Sequence, residues 1–94
     1  ITKKLASKHL RVFLQLTSRH ISDGYEITIH ISHYSGIVKA YVLDAKGEVV
    51  TSNKCNISDA GNLLLNLPQN SLGAYTLRVI TDSNIYYGQF YIVN

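Results

Sequence analysis

The chain of 94 residues holds one cysteine, one proline, and neither tryptophan nor methionine. The lone Cys55 excludes an internal disulfide framework and any zinc site built on paired cysteines, and it is expected as a free, half-buried thiol. Pro68, unable to donate to a sheet ladder, is expected to end a strand. No run approaches the roughly 18 to 20 apolar residues of a membrane-crossing helix, so no span is expected. No signal-peptide core is present, and a start at Ile1 without methionine fits a processed chain. Such a start permits secretion with a signal peptide removed, without showing it. The Gly-x-Ser-x-Gly elbow of a serine hydrolase is missing, as is any glycine-rich phosphate loop.

Acids are few, six against nine Lys and Arg, for a net charge of +3. Three of the cations, Lys3, Lys4 and Lys8, fall in the first eight residues, which leaves six cations against six acids elsewhere. Residues 1–9 are therefore read as a flexible arm on a single domain spanning 1–94. A nucleic-acid binder would place its cations in a stripe on a folded face, with aromatic platforms among them. With the surplus in an arm, no nucleic-acid partner is expected. A hydrophobic content of 46% is ample for one core. A chain this short has little apolar surface to spare for a deep enclosed pocket.

What fills the sequence is alternation of period two, which sends successive side chains to opposite faces of a strand. In the run from Tyr25 to Ile31, Tyr25, Ile27, Ile29 and Ile31 face a core, and Glu26, Thr28 and His30 face water. From Ile37 to Asp44 the inward set is Val38, Ala40 and Val42, and the outward set Lys39, Tyr41 and Leu43. Asp44-Ala45-Lys46-Gly47 supplies hairpin chemistry, with Gly47 free to take positive φ, before a returning strand from Glu48 to Asn53. A turn-rich stretch from Ile57 to Asn62 precedes the strand Leu63–Leu67. Two more strands follow, Ala74–Thr81 with Tyr75, Leu77 and Val79 inward, and Ile85–Val93 with Tyr86, Phe90 and Ile92 inward. Upstream, Leu10, Val12, Leu14 and Leu16 alternate with Arg11, Phe13 and Gln15 as a first strand.

Seven strands, linked by loops too short for crossover helices, predict an all-β antiparallel two-sheet sandwich of immunoglobulin or fibronectin type. A small β-barrel is the alternative. Ile37–Val50, with its Asp-x-x-Gly hairpin, then Leu65-Asn66-Leu67, the Gly-x-Tyr-x-Leu strand at Gly73–Leu77 and the closing Gly-x-Phe-x-Ile at Gly88–Ile92, resemble the DUF3244 family of small secreted β-sandwich domains of Bacteroidetes. The Gly-x-Tyr-x-Leu feature is also similar to the C-terminal sorting domains of the gliding-bacterium secretion system. The resemblance implies a secreted or periplasmic sandwich domain and brings no catalytic residue with it.

Chemical candidates are sparse. His30 and His33, three apart on a strand, fall on opposite faces, which argues against a shared metal. Asp23, Asp44, Asp59 and Asp82 all sit at turns, where aspartate ordinarily bonds the local backbone. Neither catalytic residue, cofactor nor metal is expected, and the chain is read as a non-enzyme. Asn56-Ile57-Ser58 matches a glycosylation sequon. Seven tyrosines are the one compositional bias. Alternation turns Tyr41, Tyr87 and Tyr91 outward, with Phe13 joining them, as a candidate interaction surface. The expected function is a secreted or cell-envelope module that binds another protein through a sheet face or edge. The alternative is a carbohydrate-binding module that stacks sugars on the outward tyrosines.

Overall fold

The computed structural model describes residues 2–6, 13–21, 24–68, 71–82 and 84–92, with side-chain environments from residue 24 onward. Among these residues every element is a strand: β1 (Thr2–Ala6), β2 (Phe13–Ile21), β3 (Gly24–Ser32), β4 (Gly36–Leu43), β5 (Val49–Ile57), β6 (Ala60–Pro68), β7 (Gly73–Ile80) and β8 (Ile85–Ile92). They form two four-stranded sheets, in the orders β1-β2-β3-β6 and β5-β4-β7-β8. All pairings are antiparallel. The ladders thus make two sheets rather than one closed cylinder. Within them β2-β3-β6 and β5-β4-β7-β8 follow the Greek-key order of an immunoglobulin-like sandwich, and β1 is an addition to it.

The core lies where alternation from the two sheets meets. Ile27, Ile29 and Ile31 of β3 and Leu63, Leu65 and Leu67 of β6 form one inner wall. Val38, Ala40 and Val42 of β4, Leu77 and Val79 of β7, and Tyr86, Phe90 and Ile92 of β8 form the other. The expected inward sets of these strands are buried, except that Tyr25 and Tyr75 are only half-buried at the margins. Tyr75 stacks on Phe90 with ring centroids 5.6 Å apart, so the half-buried ring still packs in a favourable aromatic geometry. Fully burying a side chain such as Leu77 stabilises the fold by about 1.5–3 kcal/mol.

Four expectations change, one being that the returning strand read as Glu48–Asn53 runs from Val49 to Ile57. Thr2–Ala6, read as part of an arm, is an edge strand paired in register with Phe13–Thr17 of β2. Lysines on a sheet edge are compatible with strand structure and discourage a further strand from joining there. The first strand of the sequence reading, begun at Leu10, runs instead from Phe13 to Ile21, and residues 7–12 lie outside the described set. The loop expected from Ile57 to Asn62 shrinks to Ser58 and Asp59, because Asp59 adopts a left-handed φ of 68° and turns the chain within two residues. Aspartate tolerates that conformation better than most residues.

The hairpin at Asp44 behaves as its sequence predicts. Asp44 Oδ1 accepts from the amides of Lys46 (2.9 Å) and Glu48 (3.0 Å), and Gly47 takes φ 84°. Opposite Val42 and Leu43 the register shifts by one, leaving Val50 as an extra residue that bulges β5 beside it.

Candidate functional site

The register of the second sheet puts the outward tyrosines on one surface. Ser52, Tyr41, Arg78 and Tyr87 are successive cross-strand partners from β5 through β4 and β7 to β8. Tyr91 stands two pleats beyond Tyr87 on β8, with Gln89 between. At about 4.8 Å between neighbouring strands and about 3.4 Å per residue, Tyr41 is roughly 10 Å from Tyr87, and Tyr87 roughly 13 Å from Tyr91.

The three rings are not equally open. Tyr87 and Tyr91 are 61% and 58% exposed. Tyr41 is half-buried because the Arg78 guanidinium lies over its ring, 4.8 Å from the centroid. That stacking shields Arg78 Nε, which has no hydrogen-bond partner. Phe13, expected to join the tyrosines, does not: it begins β2, opposite Ser32, in the other sheet. Strand parity fixes which face an outward residue shows but not which sheet it belongs to.

Apolar side chains border the tyrosines. Ile37, Ile85 and Val49 are each at least half exposed. On β8, Ile85, Tyr87, Gln89 and Tyr91 all point outward while Tyr86, Gly88, Phe90 and Ile92 are buried, a strict alternation along an edge strand.

The charge on this face is one-sided. Lys39 and Lys54 are direct cross-strand partners, both exposed. Arg78 lies diagonally next to Lys39, one pleat along β7 from its partner Ile80. No Asp or Glu occupies an outward position of β4, β5, β7 or β8. Like charges directly opposite on neighbouring strands are destabilising by a few tenths of a kcal/mol. Two depressions open beside this pair. One of about 350 Å³ is lined by Lys39, Tyr41, Ser52, Asn53 and Lys54. The other, about 690 Å³, runs from the same lysines past Ile37 and Ile80 to Tyr34 and Asp82 at the loop end.

His30 and His33 form no centre. His30 Nδ1 is 2.9 Å from Asn62 Oδ1 of its cross-strand partner. His33 is exposed in the β3–β4 turn at φ 61°. His9 lies outside the described residues. Among the described residues no three of His, Cys, Asp and Glu gather to hold a metal. Burial raises the pKa of the half-exposed Cys55 thiol, which reduces its thiolate and hence its reactivity. Asn56 of the sequon is exposed on β5.

Sequence reasoning did not single out Tyr34, which is buried at a loop. Its hydroxyl donates to Ile37 O (3.3 Å) and accepts from the Asp82 amide (3.2 Å), tying the β3–β4 turn to the β7–β8 turn. Its own amide donates to Asp59 O, and the Asp59 amide donates to Ser35 Oγ, so the β5–β6 corner joins the same cluster. No helix of the described residues is long and apolar enough to cross a membrane. No family model and no curated protein matches the chain, so its surface has to be read from geometry.

Proposed function

We propose that this domain is a non-enzymatic interaction module of the cell envelope or the secreted fraction, which binds another protein by accepting an extended partner strand along β8. The observation that carries this reading is the contrast among the sheet edges. β1 carries Lys3 and Lys4, β6 ends at Pro68, and β5 carries Lys54 and is itself bulged at Val50. Along β6, the Leu64 carbonyl is also taken by Asn53 Nδ2 at 2.8 Å. Such features blunt an edge against further pairing. β8 has no charge, no proline and no register shift, and among the described residues its one strand ladder is to β7, with β1 of the other sheet approaching it at the margin. Main-chain bonds to the open side would supply affinity, and the alternating Ile85, Tyr87 and Tyr91 would supply selectivity.

The reading is tested by co-purification from envelope extract, comparing the native domain with Tyr87→Lys and Tyr91→Lys, and by amide exchange on the recovered complex. The expected result is a partner held by the native chain, lost with the lysine variants, and slowing exchange of β8 amides. A native domain that stays a lone monomer, or a partner that leaves β8 exchange unchanged, overturns it.

A second reading, a carbohydrate-binding face, is favoured by Tyr87 and Tyr91 standing open on one surface with Gln89 between them. The secreted setting in both readings is proposed on the likeness of the Gly73–Leu77 and Gly88–Ile92 motifs to those of DUF3244 domains, a likeness that no family-model match accompanies.

A further inference from the structure

We infer that the Lys39–Lys54 pair is an anion subsite, and that the chain recognised by the outer face of β5-β4-β7-β8 is an acidic polysaccharide carrying carboxylates. This rests on the carbohydrate reading and specifies its substrate class.

The juxtaposition itself is the first argument. A sheet that needed only solubility at this position would gain by placing a carboxylate opposite Lys39, and instead it places a second lysine there. The repulsion disappears when an anion sits between the two ammonium groups. No acid on the sheet face competes for them. Arg78, one pleat away, extends the positive field toward Tyr87 while its guanidinium is held by Tyr41.

The second argument is shape. The depression of about 350 Å³ beside the lysines is at the lower end of small-ligand sites, which run from about 300 to 1,000 Å³. It suits one sugar unit rather than an extended aromatic ligand. Its lining offers two ammonium groups, the Ser52 hydroxyl and the Tyr41 ring, the donors and apolar surface that a uronic acid presents partners for, while the Asn53 amide is held by the Leu64 carbonyl. A chain seated there can run across Arg78 to the open faces of Tyr87 and Tyr91. Asp82 lines the larger neighbouring depression together with both lysines, at its loop end.

The test uses affinity electrophoresis and calorimetry with polygalacturonate, dextran and poly(U) as probes, on the native domain and on Lys39→Gln/Lys54→Gln. Both lysines are exposed, so the double variant is expected to fold. The expected result is retardation by polygalacturonate that weakens at high salt and falls about tenfold or more in the double variant, with little retardation by dextran. Tyr87→Ala should weaken binding without changing its salt dependence. Dextran bound as well as polygalacturonate, with the lysine variant unaffected, overturns the acidic preference and leaves the carbohydrate reading standing. Binding of poly(U) in place of polygalacturonate overturns it in favour of single-stranded nucleic acid. Retardation by none of the three overturns the subsite and the carbohydrate reading together.

Discussion

At the residue scale, Tyr34 and Gly36 show how one end of the sandwich is held. A Cβ on Gly36 would lie 2.8 Å from the Tyr34 hydroxyl, and the glycine's φ of 139° is one that side chains rarely adopt. Gly36→Ala is therefore expected to cost about 1–3 kcal/mol, read as a lower urea midpoint at unchanged slope. Tyr34→Phe leaves the Asp82 amide and the Ile37 carbonyl without their partner and should cost about 1–3 kcal/mol. The two costs should not add in the double variant, because removing the hydroxyl also removes the nearest clash.

Cys55 gives a pH prediction at the same scale. Its thiol is raised above the unfolded value by burial, so the folded chain holds the proton more tightly than the unfolded chain. The contribution to stability is present below the unfolded pKa and declines as pH rises past about 8.5. Denaturant midpoints taken between pH 8 and 10 should fall more for the native chain than for Cys55→Ser. Reaction with a disulfide reagent at neutral pH should also be slower folded than unfolded.

At the element scale, legibility depended on whether a strand has one wet face and one dry one. β3, β4, β7 and β8 do, and alternation alone puts Ile27, Val38, Leu77 and Phe90 on the side that is buried. β5 does not. Only Ile57 is buried along it, with Thr51 and Cys55 half-buried, so its continuation past Asn53 left no periodic signal. β1 was hidden because its lysines read as a solvated tail, and pairing with β2 is a tertiary fact.

The candidate surface divides in the same way. That Tyr41, Tyr87 and Tyr91 point outward follows from parity within each strand. The lid of Arg78 over Tyr41, and the opposition of Lys39 and Lys54, follow from register between strands, which no local pattern records. A prediction at this scale concerns the walls. Leu77→Ala, at a site with no exposure, should lower stability by about 2–5 kcal/mol, whereas Leu64→Ala, 42% exposed on β6, should cost well under half of that in chemical denaturation.

For the whole molecule, Asn53 matters out of proportion to its exposure. Its side chain reaches from β5 to the Leu64 carbonyl of β6 and so joins the two sheets along one margin. Asn53→Ala should cost about 0.5–1.5 kcal/mol and quicken amide exchange in β5 and β6 more than in β7 and β8.

The pairing of β3 with β6 brings together residues as far apart as Gly24 and Pro68, and β4 pairs with β7 from Lys39 to Ile80. Both central ladders must form against the entropy of closing long loops before either inner wall is complete. Folding is thus expected on the millisecond-to-second scale of non-local β topologies. Truncations at Ile29, Leu65 and Val79 should slow refolding, while changes at Ile85 and Tyr87 should act mainly on unfolding. Until those ladders close, the apolar strands β3, β6 and β8 are unpaired together, and the time spent in that state sets how readily the chain associates with copies of itself.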